Sequence, residues 1–146
     1  MLIAASGWAI AGSSGDLAPD NELSGYADIQ GFSFPHGGNQ ADISQKGNNN
    51  QLIAVQIGTS NSIDVRQAGN NNIANLSQAG LYNVISLNQE GRANLACVTQ
   101  VGVKDVAQVI QAGSNNLVQI LQLGSGLKAI VTQTGYNNFA RLTQRN

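Results

Sequence analysis

Apolar and polar residues alternate with a period of two inside a longer period of eleven along residues 39–146. Two and four places before each recurring glutamine, the residue is apolar without exception. This alternation is typical of one buried face of a β-strand. It predicts strands of about seven residues joined by glycine-containing turns. The twenty apolar positions are Ala41, Ile43, Leu52, Ala54, Ile63, Val65, Ala74, Leu76, Ile85, Leu87, Ala96, Val98, Ala107, Val109, Val118, Ile120, Ala129, Val131, Ala140 and Leu142.

Three polar or turn-forming residue types mark the eleven-residue period. Glutamine recurs as Gln45, Gln56, Gln67, Gln78, Gln89, Gln100, Gln111, Gln122, Gln133 and Gln144. Glycine follows two places later as Gly47, Gly58, Gly69, Gly80, Gly91, Gly102, Gly113, Gly124 and Gly135. Asparagine follows five places after glutamine as Asn50, Asn61, Asn72, Asn83, Asn94, Asn116 and Asn138, with Asn39 one period earlier. Asp105 and Leu127 interrupt the asparagine series.

One glycine in every period argues against an eleven-residue coiled coil, because a glycine in a helix interior costs about 1 kcal/mol relative to alanine. Eleven residues supply one strand and one turn, so two periods close a flat coil of 22 residues. We therefore predict an all-β solenoid with two parallel, in-register sheets. Its five turns, called rungs here, are residues 39–60, 61–82, 83–104, 105–126 and 127–146.

Stacked rungs place glutamine over glutamine and asparagine over asparagine. We expect the glutamines and asparagines to form side-chain amide ladders along the stack, with an Asn–Gln pair closing each end of a thin apolar centre. Glycine two places after glutamine suits a turn with positive φ. The repeat runs close to Asn146 without a capping element, which predicts two open strand edges and hence polymerisation.

The outward positions differ between the two predicted sheets. The second strand of each rung carries mostly apolar outward residues, namely Ile53, Val55, Ile73, Leu95, Leu117, Leu121 and Phe139, together with Cys97. The first strand carries Asp42, Asp64, Arg66 and Lys128 among polar and aliphatic residues. The second sheet is therefore the predicted interaction surface.

The chain before the repeat divides into two segments. Residues 1–11 are apolar and uncharged, and Ala9-Ile10-Ala11 fits the small-residue rule for signal cleavage, so we expect an export-signal remnant. Residues 12–38 are rich in glycine and polar residues and are expected to form a flexible segment.

Composition excludes several function classes. Charged residues make up 10% of the chain, the net charge is −1, and the seven cationic residues are scattered, so no nucleic-acid partner is indicated. His36 is the single histidine and Cys97 the single cysteine, which leaves no predicted metal, cofactor or catalytic residues. We expect a non-enzymatic protein. An intermolecular disulfide through Cys97 stays open as an alternative to a simple surface residue.

The unit Gln-x-Gly-x-x-Asn-x5-Gln, repeated five times, closely resembles the curlin repeat over roughly residues 39–146. The basic segment Arg141–Arg145 and the segment Asn21–Ser24 are similar to the minor, nucleating type of subunit in that family. The resemblance implies secretion through an outer-membrane curli channel with accessory factors. It also implies an extracellular functional amyloid, built by stacking on itself or on a major subunit, with association to the cell surface in biofilms.

Three functions remain open on the sequence: a nucleating curlin subunit, a major fibre-forming subunit, and a soluble β-solenoid adhesin or binding module. Lys128, Arg141 and Arg145 place three of the seven cationic residues in the fifth rung. They are the candidate residues for a tether to the cell surface.

Overall fold

The computed structural model describes residues 8–11 and 38–146. Within these ranges every regular element is a β-strand. The strands are β1 Trp8–Ala11, β2 Gln40–Asn48, β3 Gln51–Thr59, β4 Ser62–Asn70, β5 Ile73–Leu81, β6 Val84–Arg92, β7 Leu95–Val103, β8 Val106–Ser114, β9 Leu117–Ser125, β10 Lys128–Tyr136 and β11 Phe139–Arg145.

The repeat strands alternate between two sheets. Sheet A has the order β1-β3-β5-β7-β9-β11, and sheet B has the order β10-β8-β6-β4-β2. Within each sheet, repeat neighbours are parallel and pair residues that are 22 apart, as in Gln67↔Gln89 and Gln78↔Gln100. The prediction of a two-sheet parallel solenoid with five rungs of about 22 residues is confirmed. An eleven-residue period produces this register because each strand presents the same residue type at the same height.

The apolar centre lies between the two sheets. Fifteen of the twenty predicted apolar positions are buried and form one cluster, and the remaining five pack against it. Those five are Ala41, Ile43, Val131, Ala140 and Leu142, all in the first or last rung. Their partial exposure follows from position, because each lacks a neighbouring rung on one side. The core is therefore a narrow column whose ends are still open.

The strands are longer than predicted. Each of β2 to β10 has nine residues instead of about seven, and the recurring glycine lies inside the strand near its end. Gly91 shows why this is possible: its φ is +116°, and it still pairs with Gly69 and Gly113 in the neighbouring strands. A Cβ at Gly91 would collide with the carbonyl oxygen of Gly113. Glycine is thus required by both the backbone angle and the close rung stacking.

A second residue with a positive φ lies just before each asparagine position, and the sequence pattern did not predict it. Asparagine, the non-glycine residue that best tolerates this conformation, occupies it four times, as Asn49, Asn71, Asn115 and Asn137. Ser60, Tyr82, Ala93 and Lys104 adopt the same positive φ without that advantage. The signal was present in the sequence as runs such as Asn70-Asn71-Asn72.

The expectation of two fully open ends is wrong at one strand. β1 lies antiparallel to β3, with Trp8 opposite Val55 and Ala11 opposite Leu52. Four residues of β1 thus cover part of a nine-residue edge, because a strand edge offers unpaired N–H and C=O groups to any extended segment. The rest of the predicted export segment, residues 1–7, and residues 12–37 of the predicted flexible segment lie outside the described residues.

Candidate functional site

The glutamines form two continuous columns, one in each sheet. In sheet B, Gln67 Nε2 donates to Gln89 Oε1 at 2.7 Å, and Gln89 Nε2 donates to Gln111 Oε1 at 2.8 Å. In sheet A, Gln78 donates in the same way to Gln100 at 2.9 Å. The pattern continues from Gln45 to Gln133 and from Gln56 to Gln144. Each amide therefore repeats the backbone hydrogen bonding of the rungs along the stack.

Each of these glutamines except Gln45 also donates across the solenoid. Gln89 Nε2 reaches the carbonyl oxygen of Ile73 in the opposite sheet at 3.1 Å, and Gln100 Nε2 reaches that of Val84 at 3.1 Å. The sequence predicted an Asn–Gln pair at each end of the core. The two residue types do close the same ends, but their further bonds run to backbone carbonyls.

The asparagines form a second kind of column, built on the backbone. Asn72 Oδ1 accepts the backbone N–H of Asn94 at 3.1 Å and its side-chain Nδ2 at 3.2 Å. Asn72 Nδ2 donates to the carbonyl of Ala68 at 3.2 Å and to that of Gly91, one rung further, at 3.1 Å. Asn72 Nδ2 also donates to Asn50 Oδ1 in the preceding rung at 3.2 Å, so one side chain bonds to groups in three successive rungs. Since an unpaired buried polar group costs about 1–3 kcal/mol, these bonds hold the rungs in register.

The side chains of the amide columns are buried, so their polar atoms require hydrogen-bond partners. The ladder side chains of the middle rungs are fully buried, with Gln78, Gln89 and Asn94 at 0% exposure. At the two ends, Gln45, Gln144 and Asn138 are only partly buried because one neighbouring rung is absent. The end rungs therefore present half-used amide columns beside strand edges that are open except where β1 pairs with β3. That arrangement can bind another rung of the same kind.

Two residues interrupt one asparagine column. Asp105 is fully buried, and its Oδ1 accepts the backbone N–H of Leu127 at 2.9 Å. Asp105 Oδ2 has no hydrogen-bond partner, and it is the sole buried side-chain atom of that kind among the described residues. Leu127 follows at the open end of the column and has no polar side-chain atom at all. The column is weakened at Asp105 and stops at Leu127.

The three candidate tether residues are exposed, but the fold does not bring them together. Lys128 begins β10 in sheet B, whereas Arg141 and Arg145 lie in β11 in sheet A. They share the fifth rung and point to two opposite faces of the solenoid. They are therefore spread around one rung and do not form a single cationic patch.

Residues 8–11 and 38–146 offer little for catalysis or metal binding. They contain no group of three or more His, Cys, Asp or Glu residues that converge on one point. Cys97 is a half-buried free thiol, and His36 lies outside the described residues. In the same part of the chain, no helix is long and apolar enough to cross a membrane.

Comparison with known families agrees with the repeat architecture. The model of the Curlin associated repeat matches residues 58–91, 91–124 and 113–145, which together span more than half of the chain. No curated protein and no solved structure matches the chain. The matched residues are those that build the amide columns, the glycine positions and the apolar core. The chain therefore belongs to the curlin-repeat family, whose members are structural subunits of extracellular curli-type amyloid fibres and not enzymes.

Proposed function

We propose that this chain is the minor, nucleating subunit of a curli-type fibre, which starts polymerisation and stays attached to the cell surface. The observation that carries the proposal is Leu127 at the open end of an asparagine column. In every step of that column from Asn39 to Asp105, a side-chain Oδ1 accepts the backbone N–H of the next rung. Leu127 has no side-chain acceptor to offer the next rung.

A homopolymer of this chain would place rung one of one copy on rung five of another. The N–H of residue 39 would then meet Leu127 instead of an Asn Oδ1. One buried N–H per junction would stay unpaired, at a cost of about 1–3 kcal/mol. The other corner of the junction is complete, because Asn138 can accept from Asn50. A bulk subunit repeats this junction throughout the fibre, whereas a nucleator forms few of them.

Rung one has no such defect and supports the templating role. Asn39, Gln45, Asn50 and Gln56 all follow the repeat there, so a major curlin subunit can add below them with both columns intact. β1 covers part of the β3 edge at this end. Its pairing has to be released before an incoming strand can occupy that edge, and residues 1–11 are the segment expected to be removed at export.

The fifth rung is the proposed tether. Lys128, Arg141 and Arg145 are all exposed on that rung, which suits an anionic partner at the outer surface of the cell. We expect secretion through the curli channel, guided by residues 12–38, to bring the chain there. A Lys128→Glu/Arg141→Glu/Arg145→Glu variant should release fibres from cells while seeding in solution is unchanged. Lost seeding together with retained attachment would reverse the roles given to the two ends, and retained attachment alone would exclude these residues as the tether.

The decisive experiment for the nucleating role compares the wild-type chain with Leu127→Asn. This change restores an acceptor at the junction, so self-polymerisation followed by thioflavin fluorescence should become several-fold faster. Seeding of a major curlin subunit should stay the same, because that reaction uses rung one. Ile130→Asn, an exposed apolar position on the outer face of β10 in the same rung, is the matched control and should not accelerate assembly.

Two outcomes contradict the proposal in different ways. If Leu127→Asn leaves self-polymerisation unchanged, the column does not limit homotypic growth, and the major-subunit alternative is favoured. If the wild-type chain shows neither thioflavin binding nor a cross-β reflection near 4.7–4.8 Å, it is a soluble solenoid module.

A further inference from the structure

The outer face of sheet A differs from that of sheet B in charge. Its four outward columns contain no charged side chain in rungs one to four, and Arg141 and Arg145 appear only in rung five. Sheet B displays Asp42, Lys46, Asp64, Arg66 and Glu90 over its first three rungs. Asp64 and Arg66 also form an exposed ion pair at 3.8 Å. Water-facing charges keep sheet B solvated, and sheet A lacks them in rungs one to four.

Most apolar residues on the outer face of sheet A lie in two outward columns at opposite borders of the face. The first column begins the strands, and the other lies just after the ladder glutamines. Ile57, Val101 and Phe139 are exposed by 59%, 44% and 63%. The first column is Gln51, Ile73, Leu95, Leu117 and Phe139, and the other is Ile57, Ala79, Val101, Leu123 and Arg145.

Two central columns separate these borders and are mostly polar. One contains Ile53, Asn75, Cys97, Gln119 and Arg141, and the other contains Val55, Ser77, Thr99, Leu121 and Thr143. A rotation of 180° about the stacking axis reverses the strand direction and keeps the rungs level. It therefore brings each border column opposite the other border column, and each central column opposite the other central column. Apolar residues then meet apolar residues, as in Leu95 with Val101, while Asn75 meets Ser77.

We infer that this face binds a second copy of the chain, related by a two-fold axis parallel to the stack, so that two stacks pair laterally. The inference rests on the proposed fibre function. The size of the proposed interface follows from the dimensions of the face. Five strands spaced about 4.8 Å apart and seven residues of about 3.3 Å each give roughly 550 Å² per copy. One pair of copies buries about 1,100 Å², slightly less than the 1,200 Å² or more of stable interfaces.

The area determines when pairing occurs. Two single copies bind too weakly to remain paired. Two stacks of several copies each bury a multiple of this area, yet they lose translational and rotational freedom only once. Lateral pairing is thus a consequence of polymerisation. Soluble chains stay single, and fibres pair.

Cys97 supplies a native probe, because it is the single cysteine and lies in a central column of this face. With sheets about 10 Å apart, the two-fold places the two Cys97 sulphurs roughly 8–10 Å from each other, too far for a disulfide. A bis-maleimide of that span bridges them. Copies that follow one another in a stack hold their Cys97 residues about 24 Å apart, out of its reach. Cross-linked dimers thus report lateral pairing alone.

The experiment treats preformed wild-type fibres and soluble monomer with the short bis-maleimide, and separates the dissolved products on a denaturing gel. Most of the chain in fibres should become dimeric, while the monomer sample stays single. Leu95→Lys should lower the dimer yield at least tenfold and give thinner fibres in electron micrographs. Val84→Lys, the same column and rung on sheet B, should leave yield and width unchanged.

Each negative result contradicts a different claim. Fibres that give no cross-linked dimer overturn the lateral two-fold while the fibre function stands, as does an undiminished yield in Leu95→Lys. A spontaneous Cys97 disulfide in fibres also overturns the stated geometry. Absence of wild-type fibres overturns the proposed function itself.

Discussion

The backbone N–H of Asp105 donates to Oδ1 of Asn83 at 3.0 Å, which keeps Asp105 in line with an asparagine column. The preceding member of that column, Asn83, also donates its Nδ2 to the carbonyls of Ala79 at 3.2 Å and Gly102 at 3.1 Å. A carboxylate has no hydrogen to donate. The equivalent carbonyls around Asp105, those of Val101 and Gly124, therefore receive nothing from its Oδ2, which is buried without a partner.

Asp105→Asn should consequently stabilise the stack. The new Nδ2 donates where the carboxylate oxygen now stands unpaired, and the expected gain is about 1–3 kcal/mol. The measurement is the guanidinium concentration at which fibres dissociate. Asp42→Asn removes a carboxylate from the exposed face of sheet B and should not change that concentration. A lower dissociation midpoint for Asp105→Asn would show that the carboxylate has a stabilising partner.

Gln89→Ala should slow assembly markedly. Gln89 accepts from Gln67 and donates to both Gln111 and the carbonyl of Ile73, so its removal leaves buried groups unpaired on both sides. Asn94→Ala should act in the same way, because Asn94 Nδ2 donates to Asn72 Oδ1 in the preceding rung and to the carbonyl of Gly113 in the next. Thioflavin kinetics give the elongation rates.

Two controls separate the causes of this effect. Ser86→Ala changes an outward position of the same strand and should assemble like the wild-type chain. Gln89→Met keeps most of the side-chain volume, so a defect it shares with Gln89→Ala comes from lost hydrogen bonds. Equal rates for Gln89→Ala and Ser86→Ala would contradict the importance of the amide column.

Ala93→Asn should stabilise the fold by about 1 kcal/mol. Ala93 has φ +54°, a left-handed conformation that costs a non-glycine residue about 1–2 kcal/mol and that asparagine tolerates better. Ala93→Gly should act in the same direction. Ala68→Gly, within β4, should instead destabilise by about 0.5–1 kcal/mol, because glycine there only adds flexibility to the unfolded chain. Denaturant dissociation of fibres measures all three, and opposite signs at the two sites are the expected outcome.

Gly135→Ala should block one end of the fibre. A Cβ at each preceding glycine of this column, from Gly47 to Gly113, would collide with the carbonyl of the next rung, whereas a Cβ at Gly135 meets only Asn138 Nδ2, at 3.8 Å. The folded chain therefore has room for the methyl group, although the φ of +100° at this position strains alanine, whereas the Gly47 carbonyl of an added copy would collide with that group. Traces of this variant should stop growth at one end in time-resolved atomic force microscopy.

Gly126→Ala is the matched control for that experiment. Gly126 also has a positive φ, +68°, so alanine is strained there too, but its Cβ would meet no atom within 4 Å. It should not stop growth at either end. Continued growth at both ends with Gly135→Ala would refute head-to-tail stacking of rung one on rung five.

The sequence by itself determined the period, the sheets and the core. Each of the twenty alternating positions, from Ala41 to Leu142, lies in the apolar centre or against it. The reason is geometric: a strict two-residue alternation assigns faces, and a constant eleven-residue spacing leaves one register in which buried amides stack on their own kind. In such a repeat, the local spacing of residues therefore also specifies which residues pack together between rungs.

Only the tertiary structure decided where the polar groups bond. Gln89 donates to the carbonyl of Ile73, 16 residues away, because the two sheets face each other. Asn72 donates to the carbonyl of Ala68 within its own turn and to that of Gly91 in the next rung, because the turn and the stacking bring those oxygens within reach. Spacing along a chain states which residues align but not which donor meets which acceptor. The same holds for the left-handed φ of Ala93, the orphan oxygen of Asp105 and the β1 edge pairing. Each arises from the three-dimensional closeness of neighbouring strands and turns, which the order of residues does not display.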